Sequence, residues 1–149
     1  MADESNESNQ PNAPQPALLL DSDLFFSVKV TDTLKHAGYA TRTVRRGDDF
    51  ARALDDDTVP PPAVVLVNTA ARGVDWRAGI TAAVAHHIPV VAFGSHVDLD
   101  TQAEARRLGA TSVIANSKLA SDLPGIVART LRRQSESGME SGPERASGP

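Results

Sequence analysis

The chain has 149 residues, ten glycines, ten prolines and 40% hydrophobic residues, the size of one globular domain with polar ends. Its formal charge of -4 and the lack of any Lys/Arg cluster interleaved with aromatics argue against nucleic acid as a partner. The absence of cysteine excludes disulfides, thiol nucleophiles and thiolate metal sites. No apolar run approaches the roughly 20 residues of a membrane helix, and residues 1–15 have neither a basic nor an apolar region, so no secretory signal and no membrane contact are expected. These features read together as a soluble, cytoplasmic protein.

Residues 1–16 are rich in Ser, Asn, Gln, Glu and Pro and cannot bury enough apolar surface to offset the entropy of ordering, so a disordered tail is expected. Residues 17–20 form a short buried-strand run. In the segment 23–37, Phe26, Val30 and Leu34 recur at i, i+4 and i+8 on one helical face, and Gly38 supplies the left-handed cap. Asp23 is read mainly as the cap of this helix. An edge strand over 39–44 and a short helix over 48–54 follow.

Three acids and three prolines at 55–62 read as a stiff exposed connection, not a metal site. Residues 63–67 are apolar and β-branched, as a strand buried on both faces requires. Next come a helix over 76–86, a strand over 89–93, a helix over 99–108 closed by Gly109, a strand over 111–115 and a helix over 121–132. Trp76 and Phe93 read as core, and His86 with His87 as a cationic helix end. Residues 133–149, dominated by Ser, Gly, Glu and Pro, are expected to be a second disordered tail.

Five strands strictly alternating with five helices imply an α/β fold, a parallel sheet covered on both faces. In such folds chemistry gathers at the carboxyl ends of the strands. Here those ends carry Asp21 and Ser22, Asn68, Gly94 and Ser95, and Asn116.

Over 17–132 the chain resembles the receiver domain of two-component response regulators. Leu-Leu-Leu-Asp-Ser-Asp at 18–23 is similar to the family's first strand and acidic cluster, and Ala37-Gly38-Tyr39 to the end of its first helix. Residues 64–68 are similar to the strand that delivers the phosphoacceptor, and Gly73-Val74-Asp75 falls on the family's Gly-Met-Asp. Ile88-Pro89-Val90-Val91 is similar to the fourth strand, and Gly94-Ser95-His96-Val97-Asp98 occupies the segment that usually reads Thr-Ala-His-Gly-Asp. No single motif is specific, but the register runs without a gap from Ile88 to Asn116. The resemblance implies a flavodoxin-like three-layer sandwich with strand order 2-1-3-4-5.

The resemblance also implies that the family's chemistry has lapsed. Asn68 stands at the nucleophile position, and an amide cannot form an acyl phosphate. Ser22 replaces an acid beside Asp21, leaving one charge where Mg²⁺ would want two or three, so weak Mg²⁺ binding at most and no other cofactor is expected. Gly94 replaces the hydroxyl residue that follows the phosphoryl group, Asn116 replaces the lysine that pairs with it, and Val113 replaces the switch aromatic; Ser95 and Lys118 are nearby substitutes, and His96 lacks a nucleophile to serve. The implied function is a stand-alone, non-enzymatic pseudo-receiver that binds a regulatory protein, or a second copy of itself, through the fourth helix, fifth strand and fifth helix, where Arg106, Arg107, Arg129, Arg132 and Arg133 lie. A phosphorelay receiver with an atypical site and a flavodoxin-like small-molecule binder remain the alternatives.

Overall fold

The computed structural model describes residues 13–94 and 98–147, with side chains described through 136. Strands β1 (Gln15–Leu20), β2 (Tyr39–Val44), β3 (Val64–Asn68), β4 (Val90–Gly94) and β5 (Ser112–Ala115) alternate with helices α1 (Leu24–His36), α2 (Gly47–Asp55), α3 (Trp76–Ala85), α4 (Leu99–Leu108) and α5 (Asn116–Ser147). All pairings are parallel, and the sheet order is β2-β1-β3-β4-β5. This is the expected flavodoxin-like architecture.

The period-two alternation of each strand divides the core into two layers. Leu18, Leu20, Val65, Val67, Val90 and Ala92 point to one face and pack against α2, α3 and α4 through Phe50, Leu54, Trp76, Ile80 and Ala105. Leu19, Val64, Leu66, Val91 and Phe93 point to the other and meet α1 and α5 through Val30, Leu34, Leu123, Ile126 and Val127. Because β3 and β4 are buried on both faces they read as continuous apolar runs. Trp76 and Phe93 are core residues as expected, with Phe93 against Phe26 at 5.4 Å between ring centroids.

The helix ends follow from local chemistry. Asp23, Asp75 and Asp98 are N-caps, accepting from Phe26 N, Ala78 N and Thr101 N. Gly38 at φ 97° and Gly109 at φ 113° turn the chain after α1 and α4 in the left-handed region expected of them. His86 caps the end of α3 and pairs with Asp55 at 2.9 Å.

Three boundaries differ from the sequence reading by more than one residue. Strand β1 begins at Gln15 within the expected 1–16 tail, because Gln15 N donates to Gly38 O and extends the β1–β2 ladder; residues 1–12 lie outside the described residues. Helix α5 starts at Asn116 instead of Ser121, with a break at Asp122 (φ -147°, ψ 43°). Pro124 falls in the first turn after that break, where its missing N–H costs no helical bond. Beyond Arg132, the end given to the folded part, α5 continues to Ser147. Its first extra turn is tied to the sheet edge, since the Thr111 hydroxyl donates to Gln134 Oε1 at 3.2 Å and Arg133 donates to Ser112 Oγ at 3.2 Å.

Candidate functional site at the carboxyl ends of the strands

The ladder registers place Asp21, Asn68, Gly94 and Asn116 at one end of the sheet. Leu20 pairs with Val67, so Asp21 follows beside Asn68; Asn68 pairs with Phe93 and Gly94 with Ala115, so Gly94 and Asn116 each lie just past that row. The sequence-derived site is thus assembled on adjacent strand ends.

Asp21 is 1% exposed and Asn68 5%. The Asn68 amide donates from Nδ2 to Asp21 Oδ1 at 2.9 Å and accepts at Oδ1 from Ala70 N at 2.8 Å. That pairing fixes the amide orientation, because the Ala70 backbone can only donate and the Asp21 carboxylate can only accept. Asp21 Oδ1 also accepts from Asp23 N at 2.9 Å, whereas Oδ2 is buried with no hydrogen-bond partner. Burial pushes the Asp21 carboxyl above its ordinary range, opposed by the Asp23 backbone and Asn68 side-chain hydrogen bonds.

Ser22 turns away, its hydroxyl donating to Arg72 O at 2.8 Å. Asp23 is occupied as the α1 cap. Among the described residues no group of three His, Asp or Glu side chains is arranged to hold a metal ion. Asn116 is half-buried at the start of α5, and its Oδ1 is buried without a hydrogen-bond partner. Lys118 is exposed on the same first turn, and Ser95 and His96 lie outside the described residues.

Sequence reasoning missed Thr69. Its hydroxyl donates to Phe93 O at 3.2 Å and lies against Gly94, so close that a Cβ at Gly94 would collide with Oγ1. The hydroxyl absent from position 94 has a counterpart one strand over, pinned to backbone. The signal was available only as a pair, a glycine on one strand opposite a threonine on its neighbour.

Val113 is half-buried and packs on the α2–α4 side of the core. Arg106, Arg107, Arg129, Arg132 and Arg133 are exposed, but Arg129 pairs with Asp122 at 3.2 Å and Arg133 bonds β5. The basic character of that side is therefore partly neutralised. A second surface borders the site, where Leu24, Phe25 and Val28 of α1 form an exposed apolar strip and Phe25 is 92% exposed.

No protein-family model matches the chain, and no curated protein matches it. Solved structures do. The chain is similar to NtrX from Brucella abortus at 23% identity and a TM-score of 0.74, covering 87% of this chain and 29% of that one. It therefore spans less than a third of that protein's length. It is similar to the receiver domain of NtrX at 24% identity and TM-score 0.68, covering 78% of this chain and 98% of that domain. The signal receiver domain of a putative LuxO repressor protein from Vibrio parahaemolyticus aligns at 15% identity and TM-score 0.69 over 85% and 96% of the two chains. The chain has the fold of the response-regulator receiver domains.

Proposed function

We propose that this chain is a receiver domain of the two-component type that takes no phosphoryl group on its third strand and works by binding a regulatory protein partner in the cytoplasm. The observation that carries this reading is the engagement of Asn68 at both ends of its amide, to Asp21 and to Ala70 N. A nucleophile needs a free, negatively charged oxygen facing the phosphoryl donor, and the amide oxygen here is neutral and committed to backbone.

The surrounding groups support the same conclusion. A hard divalent cation wants several oxygen ligands, and among the described residues Asp21 is the one carboxylate buried at these strand ends, with an amide N–H turned toward it. Mg²⁺ binding is accordingly weak at most. Neither Gly94 nor Asn116 brings a hydroxyl or a charge to a phosphoryl oxygen. Protein contact remains as a role, and the exposed strip of Leu24, Phe25 and Val28, together with the arginines of α4 and α5, gives it surface.

Acetyl phosphate, and separately beryllofluoride, each with Mg²⁺, are expected to leave intact mass and amide NMR shifts unchanged. A stoichiometric gain of one phosphoryl group mapped to Asn68 or its neighbours would overturn the proposal.

A further inference from the structure

At the opposite edge of the sheet from β5, the open strand β2 and helix α2 border a solvent-open cavity of about 590 Å³. Four arginines line it, Arg42, Arg45, Arg46 and Arg52, against two acids, Asp49 and Asp56. Two of the cations are already held, Arg46 by Asp48 at 3.5 Å and Arg52 by Asp49 at 2.6 Å. Among the described residues no hydrogen bond or ion pair engages Arg42 or Arg45; Arg42 acts on Asp56 only through its charge. The lining thus carries an excess of two positive charges and two uncommitted guanidinium forks, the donor geometry that suits phosphate.

A second, smaller hollow of about 170 Å³ adjoins it and shares Arg42 and Ala53. Its walls are apolar, from Pro16 and Ala40 at the start of the β1–β2 ladder to Val59, Pro60 and Pro62 of the loop between α2 and β3. The three consecutive prolines hold that loop extended, so the apolar wall is largely preformed. A charged edge by itself would serve to block strand-to-strand association. That role needs neither convergence of the arginines on one cavity nor an apolar hollow beside it.

We infer that the adjoining cavities at β2, α2 and the Pro60–Pro62 loop form a binding site for a phosphate monoester of a small apolar alcohol. The doubly charged head takes Arg42 and Arg45, and the apolar body lies against Val59 and the prolines. The combined size falls in the range of small-molecule sites. This site is distinct from the strand ends around Asn68 and does not depend on their reading.

The test is calorimetric titration of the full chain with hexyl phosphate, inorganic phosphate and hexanol at fixed ionic strength, with amide NMR mapping of the unmodified protein. Saturable binding of hexyl phosphate is expected, tighter than inorganic phosphate and far tighter than hexanol, with shifts confined to β2, α2 and the loop. Arg42→Gln with Arg45→Gln is expected to weaken hexyl phosphate about tenfold or more, from two lost charge-assisted bonds. Val59→Ser should weaken hexyl phosphate and leave inorganic phosphate unchanged. Absence of saturable binding, shifts mapping elsewhere, or affinity untouched by the double arginine substitution would each overturn the inference.

Discussion

The end of β3 and the start of α5 each carry an asparagine, and the two are built in differently. At β3, Asn68 has both polar atoms paired, and Thr69 fills the space that a side chain at Gly94 would take. At the start of α5, the Asn116 Oδ1 is buried with no hydrogen-bond partner. The first asparagine is fully paired and the second is not, so replacing each should meet very different resistance.

Asn68→Asp is expected to have the largest effect. It replaces the donor to Asp21 by a second buried carboxylate, and should lower stability at neutral pH by about 2–4 kcal/mol, with a smaller loss at acid pH where one group of the pair is protonated. Denaturant unfolding at both pH values measures this. A neutral-pH stability equal to that of the unmodified chain would break the contrast between the two regions.

Gly94→Thr should be next, costing about 1–3 kcal/mol because the new side chain collides with Thr69 Oγ1. Combining it with Thr69→Ala should recover part of the loss, since the two hydroxyl positions compete for one space. Additive effects in a double-mutant cycle would show that the space is not shared.

A smaller effect concerns pH. Burial raises the Asp21 carboxyl above its ordinary value of 3.8. Between that value and the raised one, the folded chain holds a proton that the unfolded chain has released. The contribution of Asp21 to stability is therefore present below the ordinary value and lost as pH rises through the raised one. Asp21→Asn should remove this contribution and flatten the stability profile at pH values above the ordinary carboxyl value. A profile with unchanged slope would mean that Asp21 titrates alike in both states.

Asn116→Lys is expected to change stability least, by about 0.5 kcal/mol or less, because it removes an unpaired acceptor from a half-buried helix start and a lysine there can extend its ammonium to solvent. A melting shift as large as that of Asn68→Asp would erase the distinction between the two strand ends.

Much of this was legible in the chain itself. The buried runs of β3 and β4, the Asp cap at 23, and the glycine stops at 38 and 109 are local signals, because each depends on residues within a few positions of one another. The alternation of strands and helices then left little choice of fold, and it placed Asp21, Asn68, Gly94 and Asn116 at strand ends. The early start of α5, its break at Asp122 and its run past Arg132 were not legible. The turn beyond Arg132 is held by Thr111, just before β5, and Ser112 on it, more than twenty residues away.

By itself the sequence determined the residue types at the site and therefore what chemistry they lack: a neutral amide at 68 and no side chain at 94. Tertiary structure alone decided what those residues do instead. Whether the Asn68 amide faces a cation or Asp21, whether Thr69 fills the place beside Gly94, and whether Arg42 and Arg45 meet in one cavity depend on registers between strands and packing between layers. Such contacts join residues distant in sequence, and no local pattern encodes them.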